Sequence, residues 1–352
     1  MTRSRLLNLV GIAIGVAGLV FVTRRIISDR SEIADALSSA ELGWLVVGVV
    51  SGLIAMTLIG VNWLLILRRT GAPAPWRQGM SWFFVGQLGK YVPGGIWPIV
   101  GQAELAHRGA TPRSTAYFST AMSMVATFLG AATVAATAGL ISPTDGRWLP
   151  ALIAAAVAVA FVLLATPASR SALHGLARRV TARELRLPAP RWFALLVVRH
   201  VPVWLAFAGM NVFAVVALGV DLDGALVVQL VFVTCISWMA GFVVVGVPGG
   251  IGVRETVFIS MTTASLGTGV AVSVAVLSRA ISILVDLVGA AVSVPVARSA
   301  PATEPNGEAV DEPTGQPAGQ PAGEPTGEPA GDPAGPTSRR STVTLRTDVE
   351  RR

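Results

Sequence analysis

The residues best suited to chemistry are charged side chains beside two Pro-Gly-Gly triplets. The second triplet, Pro248-Gly249-Gly250, is followed by Arg254 and Glu255. Proline removes a backbone N–H and glycine raises the entropic cost of a helix, so the triplet predicts a helix break. A helix that begins after such a break presents free N–H groups and a partial positive charge, which suits a phosphate. Arg254 would add donors at the same place.

The pattern recurs earlier in the chain, and the last apolar run carries two further charges. Lys90 precedes the triplet Pro93-Gly94-Gly95 and Glu104 follows it, whereas Arg279 and Asp286 lie within the last run. The spacing of Arg279 and Asp286 places them on one helix face, and charges in apolar segments are expected to face the bundle interior. They either line a substrate path or only pair with one another and hold the helices together.

The candidate site residues all break a helix or carry a charge in or beside an apolar run. We expect no enzyme, because no nucleophile–base pattern occurs. We also expect no metal or cofactor, since the histidines and the single Cys235 lack ligand spacing. Gly86–Lys90 lacks the spacing of an ATP-binding phosphate loop. The predicted substrate path comprises Lys90, Pro93, Gly94, Gly95, Glu104, Pro248, Gly249, Gly250, Arg254, Glu255, Arg279 and Asp286.

Composition indicates a membrane protein. Of 352 residues, 53% are hydrophobic and 13% are charged, whereas soluble domains carry about 25% charged residues. The net charge of +7 does not indicate nucleic-acid binding, because the arginines lie in short loops between apolar runs, as the positive-inside rule describes.

The apolar runs predict an all-α, polytopic bundle of about six to eight transmembrane spans. Leu6–Thr23 could be a signal peptide, but no cleavage site follows it, so a retained first span is expected. The other predicted full spans are Leu42–Leu67, Ala116–Ile141, Leu149–Thr166, Trp192–Leu218 and Val270–Val296.

The segments around the triplets predict two re-entrant hairpins. Met80–Tyr91 and Ile96–Ala106 are each too short to cross about 30 Å of hydrocarbon. Ala225–Val247 and Arg254–Leu266 would form the second hairpin, although Ala225–Val247 is long enough to cross. Such a pair would be an inverted repeat, an arrangement common in transporters.

Loop charges and composition predict orientation and domain limits. Most loop arginines sort to one side and most loop acids to the other, so both termini are expected in the cytoplasm. Pro313–Pro336 repeats a Pro-x-Gly-x unit that cannot bury a core. We therefore expect a transmembrane domain at 1–298 and a disordered tail at 299–352.

The sequence resembles the transmembrane region of lysylphosphatidylglycerol synthases, a family of flippase-like membrane proteins. The matching residues are Lys90–Gly95, Gly101–Leu105, Val247–Glu255 and Ser278-Arg279, and the resemblance extends over roughly residues 6–298. One departure is Met122-Ser123-Met124, where a charged pair is expected.

The resemblance implies an inner-membrane protein that handles a lipid or a lipid-linked anion with a phosphate-bearing headgroup. Full-length synthases also carry a cytoplasmic aminoacyltransferase domain, and this sequence has its Pro/Gly-rich tail there, so aminoacyl transfer is not implied. The first hypothesis is a flippase, which predicts loss of transport when Arg254 or Arg279 is neutralised. The alternative is a non-transporting membrane partner of a cell-envelope lipid or glycan enzyme.

Overall fold

The computed structural model describes residues 40–72, 74–91, 96–109, 111–142, 147–166, 189–244 and 248–298, with isolated positions at 24–38, 171 and 175. All regular structure in these ranges is helical, which confirms the all-α prediction. The predicted first span Leu6–Thr23, the triplet Pro93-Gly94-Gly95 and the predicted tail at 299–352 lie outside the described residues.

The described helices alternate long segments with short broken ones. In chain order they are α1 (Leu42–Arg69), α2 (Trp76–Gln87), α3 (Trp97–Arg108), α4 (Arg113–Ile141), α5 (Trp148–Ala165), α6 (Pro190–Val198), α7 (Val201–Ala217), α8 (Gly224–Val243), α9 (Val253–Leu266) and α10 (Thr268–Arg298). Two 3-10 turns mark the breaks, the first turn at Leu88–Tyr91 and the second turn at Pro248–Gly250.

Five described segments are long and apolar enough to cross a membrane, so the chain is a multi-pass membrane protein. They are Leu42–Arg69, Arg113–Ile141, Arg191–Ala217, Gly224–Val243 and Thr268–Val296. Gly224–Val243 therefore has the length of a full span rather than of a hairpin arm. The predicted span at α5 is a shorter apolar helix.

Apolar side chains on the outer faces of the helices are exposed, as expected of surfaces that meet lipid. Val50 and Ile54 of α1 and Val159 and Val162 of α5 are all exposed. Hydrocarbon tails are as apolar as these side chains, so this exposure carries no penalty in a bilayer.

The two ends of the packed pair α1 and α7 carry opposite charge. At one end the guanidinium of Arg68 lies 4.3 Å from the ring centroid of Trp76. At the other end the Glu41 N–H donates to the Ala217 carbonyl at 2.8 Å, and Asp223 caps α8 by accepting from the Leu226 N–H. A basic, tryptophan-bearing end and an acidic end agree with the charge sorting expected from the loops.

The short helices α2 and α3 pack closely because glycines face the contact. A Cβ on Gly86 would lie 2.9 Å from the backbone nitrogen of Gln102, and a Cβ on Gly89 would lie 2.6 Å from the carbonyl carbon of Trp97. Both distances are too short for real atoms, so these two positions require glycine. The contact between α2 and α3 positions the first turn. In addition, α2 packs against α10, and α3 packs against α4.

We expect Gly89→Ala to destabilise the fold, because the added methyl group would collide with the backbone of α3. Overpacking of this kind costs about 1–3 kcal/mol. The measurement is the thermal unfolding midpoint of the purified protein in detergent. Gly43→Ala is the matched control, since nothing lies within 4 Å of a Cβ at that helical position. Equal midpoints for the two variants would contradict the packing argument.

Candidate functional site

The two 3-10 turns meet inside the bundle beside a cavity of about 350 Å³. A Cβ on Gly249 of the second turn would lie 3.6 Å from the Lys90 carbonyl oxygen of the first turn. Helices α1 to α4 and α7 to α10 supply the other walls. Much of this lining is apolar, and includes Met56, Phe207 and Trp238.

The second turn has a backbone conformation that glycine alone adopts readily. Gly249, Gly250 and Gly252 have φ values of 57°, 68° and 83°, in the left-handed region that side chains with a Cβ avoid. A Cβ on Gly250 would also lie 2.9 Å from the Gly241 Cα. The structure thus confirms the helix break predicted from Pro248-Gly249-Gly250, and the break packs against α8.

Glu255 and Arg279 connect the second turn to α10. The Gly252 N–H donates to the Glu255 carboxylate at 2.7 Å, which caps the N-terminus of α9. Arg279 Nη1 donates to the Gly249 carbonyl oxygen at 3.2 Å and lies 3.8 Å from Glu255 Oε1. Glu255 therefore pairs with Arg279. One N–H group at this end of α9 is therefore already used within the protein.

Asp286 connects the first turn to the same helix. Its Oδ2 lies 2.5 Å from Lys90 Nζ and accepts a hydrogen bond from the Tyr91 hydroxyl at 2.5 Å. The Asp286 side chain is only 1% exposed. A buried carboxylate is tolerated only when it is paired and hydrogen-bonded. These two donors engage Oδ2, whereas Oδ1 has no hydrogen-bond partner among the described residues.

Arg254 lines the cavity without a partner of its own. Its side chain is partly buried, and its stem lies over Gly241, where a Cβ would be 2.3 Å from the Arg254 Cγ. It forms no hydrogen bond or ion pair with any residue in the described ranges, whereas Lys90 and Arg279 are both paired. The guanidinium is therefore a cation at the cavity wall whose hydrogen-bonding capacity is not taken up by the described protein.

Glu104 lies apart from the predicted site residues that the structure shows lining the cavity. Glu104 pairs with Arg113 Nη2 at 3.2 Å and accepts from the Tyr117 hydroxyl at 3.0 Å, and it is not among the residues that line the cavity. The hydrogen bond from Arg113 holds the pKa of the Glu104 carboxyl below its usual value. These contacts link α3 to α4.

The cavity brings together most of the other predicted residues. They share the surface that surrounds the meeting point of the two turns, namely Lys90, Gly249, Gly250, Arg254, Arg279 and Asp286. Glu255 lies beside them, in a smaller neighbouring cavity of about 40 Å³ that Arg254 and Arg279 also line. Pro248 begins the second turn.

Neutral residues at the site were not predicted from the sequence. Tyr91 and Gln102 line the cavity, but neither carries a charge that would have drawn attention. Gln102 belongs to the segment Gly101–Leu105 on which the family resemblance rests, and that was its only signal. Ser123 and Met124 also line the cavity, so the first half contributes neutral side chains where a charged pair was expected.

Arg199 and His200 lie in the turn between α6 and α7, and their side chains contact neighbouring helices. Arg199 Nε donates to the Asn62 side-chain oxygen at 3.1 Å on α1. His200 is fully buried, with Nδ1 2.8 Å from the Leu196 carbonyl oxygen and Nε2 3.2 Å from the Thr127 hydroxyl of α4. These contacts join the turn between α6 and α7 to α1 and α4.

The fold and the site define a multi-pass membrane protein with a charged cavity where broken helices meet. The chain belongs to the family of the lysylphosphatidylglycerol synthase TM region, whose sequence model matches residues 8–289. This match confirms the resemblance seen in the sequence. No curated protein matches the chain closely enough to be compared with it.

We expect Asp286→Asn to destabilise the bundle, because it leaves the Lys90 ammonium without its counter-charge. Breaking a buried pair from one side costs on the order of 3 kcal/mol. The double variant Lys90→Met/Asp286→Asn should recover part of this loss, since it removes the orphaned charge as well. Equilibrium unfolding in mixed micelles measures the coupling free energy of this double-mutant cycle.

The exposed pair Glu104 and Arg113 provides the control for that cycle. The Arg113 side chain is 66% exposed, and solvent-exposed pairs contribute little to stability. The corresponding cycle there should show almost no coupling. Equal coupling in the two cycles would mean that Asp286 does not hold the first turn in place.

Proposed function

We propose that this chain moves an anionic lipid or lipid-linked molecule across the cytoplasmic membrane, and that Arg254 binds the phosphate of its headgroup. The observation that carries the proposal is the position of Arg254 at the cavity wall, without a partner among the described residues. A guanidinium presents several N–H donors in a fork that matches phosphate oxygens. Unsatisfied donors in a partly buried site favour an anionic ligand over water.

The surrounding charges support an anion rather than a cation. Lys90, Arg254 and Arg279 outnumber the acids Glu255 and Asp286 around the two turns. Lys90 and Arg279 already form ion pairs with Asp286 and Glu255. They would therefore attract an anion mainly through the electrostatic potential that they add to the cavity. In a low-dielectric interior this field is stronger than it would be at a solvated surface.

The size of the cavity suggests how a lipid would be held. A volume of about 350 Å³ lies at the lower end of small-ligand pockets and is enough for a headgroup. The acyl chains would stay outside, along the exposed apolar faces of the bundle. We propose that the protein makes no covalent change to the lipid.

A second function is favoured by the internal pairing of the other charges. Lys90 with Asp286 and Arg279 with Glu255 are the pairs expected if the charges mainly hold the helices together. The chain would then be a non-transporting membrane partner of an enzyme that handles envelope lipids or glycans. This alternative predicts normal function after Arg254 is neutralised, together with co-purification of an enzyme.

We expect Arg254→Gln to lower translocation of an anionic phospholipid at least about tenfold, since a hydrogen bond to a charged group contributes about 1.5–3 kcal/mol. The assay is headgroup-resolved translocation in proteoliposomes, with a zwitterionic phospholipid as the comparison lipid. Arg113→Gln is the matched control, because Arg113 is an exposed arginine away from the cavity. It should translocate at the wild-type rate.

The outcomes of this assay separate the two functions. Movement by the wild type and by Arg113→Gln, but not by Arg254→Gln, supports transport through this cavity. An equal loss in both variants would indicate a general effect of removing positive charge. No movement by the wild type, with either anionic phospholipids or polyprenyl phosphates, would favour the partner function.

The proposed orientation places the basic end of the bundle in the cytoplasm of a bacterial-type cell. In a Cys235→Ala background, a thiol placed by Asp221→Cys should react with a membrane-impermeant reagent in intact spheroplasts. A thiol placed by Arg77→Cys should react only after permeabilisation. Both positions are exposed, so accessibility reports the side of the membrane. The reverse labelling pattern would place the basic end of the bundle outside the cell.

A further inference from the structure

The small cavity beside Glu255 shares part of its wall with the large cavity where the two turns meet. Its volume is about 40 Å³, and a water molecule needs about 10–15 Å³ of cavity. The residues common to both walls are Phe207, Met210, Arg254, Arg279 and Ser282. Arg254, which has no partner among the described residues, therefore stands at the junction of the two cavities.

The small cavity lies nearer to the acidic end of the bundle than the large cavity does. Helix α8 begins at that end after Asp223. On α8, Thr234 and Ser237 line the small cavity, and the later residue Trp238 lines the large one. Helix α7 runs in the opposite direction, and its small-cavity residue Asn211 follows the residues that both cavities share. The two cavities thus lie in succession along the bundle.

The small cavity is polar, although the helices around it are apolar. Asn211 Nδ2 donates to the Thr234 hydroxyl at 2.8 Å, and the hydroxyls of Thr234 and Ser237 donate to carbonyl oxygens of α8, each at 2.6 Å. All three side chains are buried. Because the hydroxyl protons are used, oxygen lone pairs remain as acceptors. The cavity therefore suits water, which can donate to these oxygens and accept from Arg254.

This polarity is more than a contact between two helices. A hydrogen bond that only joined α7 to α8 would need no space beside it, whereas Asn211 and Thr234 adjoin a cavity. Polar groups within a membrane bundle are costly and commonly mark the paths of polar substrates.

An apolar layer separates the small cavity from the acidic end. It consists of fully buried side chains from α7, α8 and α10, namely Ala214, Val215, Leu230, Ala271 and Val272. On α10 the small cavity reaches Ala275, and the helix rises about 10 Å between this residue and its first residue, Thr268. The polar line thus ends at a thin apolar seal.

We infer that the route of the lipid headgroup continues from the large cavity past Arg254 into the small cavity, and leaves the bundle between α7, α8 and α10 when the apolar layer parts. This inference rests on the proposed function, since it extends the same site into a path. Asn211, Thr234 and Ser237 line the path. Water held by their oxygens hydrates the phosphate as it passes.

The test measures lipid binding and lipid translocation separately. Asn211→Leu/Thr234→Val replaces both partners of one hydrogen bond by apolar groups of similar size, so it leaves no orphaned donor. We expect translocation of phosphatidylglycerol in proteoliposomes to fall about tenfold, because the headgroup loses polar surroundings on its path. Affinity of the full chain for dioctanoyl phosphatidylglycerol, measured by native mass spectrometry, should be unchanged, since Arg254 and the large cavity are intact.

A second variant, Ala275→Leu, tests the path by bulk instead of polarity. Ala275 lines the small cavity, so a leucine there would fill it and should slow translocation as well. Two controls should translocate at the wild-type rate. Thr262→Val removes a buried hydroxyl that lines neither of the two cavities, and Ala280→Leu adds the same bulk on an exposed face of α10. The thermal midpoint of each variant shows whether it is folded.

Wild-type translocation by either folded path variant would overturn the path and leave the proposed function intact. A loss of binding that matches the loss of translocation would also overturn it, because the residues would then belong to the binding site. An equal loss in the controls would do the same, since the effect would not depend on the small cavity. Failure of the proposed function looks different, because the wild-type protein itself would then move no lipid, and the path would fall with it.

Discussion

Helix α10 holds both broken segments of this protein through two side chains of opposite charge. Asp286 accepts from Lys90 and Tyr91 of the first turn, and Arg279 donates to the second turn and pairs with Glu255. Buried charges without partners cost several kcal/mol, so neither turn can leave α10 without a large penalty. The meeting point of the turns, and with it the cavity, depends on these contacts.

This arrangement divides the charged residues of the site into two groups with different roles. Lys90 pairs with Asp286 and Arg279 pairs with Glu255, and these two ion pairs give the site its shape. Arg254 stands apart, since its stem lies over Gly241 and its guanidinium has no partner among the described residues. A rigid frame that leaves one cation and two buried polar atoms without partners among the described residues is better suited to hold a ligand than to stabilise the bundle. This contrast underlies the transport proposal.

The long helices were predictable because their apolar runs exceed what a soluble fold would expose. The break at Pro248-Gly249-Gly250 was predictable too, since glycine and proline report directly on backbone conformation. Glu104 shows the limit of such reasoning. Glu104 follows a Pro-Gly-Gly triplet in the sequence, as Arg254 does. Its carboxylate nevertheless binds Arg113 and Tyr117 and does not line the cavity. The re-entrant course of the short segments stays a prediction, and α8 is long enough to cross the membrane.

The sequence by itself determined the class of protein, the positions of most helices and the residues that carry charge within them, because these follow from composition, periodicity and local backbone preference. Only the tertiary structure decided which charges are paired and which has no partner among the described residues, since partners such as Lys90 and Asp286 lie far apart in the chain and meet through packing. It also revealed Gln102, whose neutral amide is unremarkable in the sequence. Its lack of a partner among the described residues became visible only once the surrounding helices were in place.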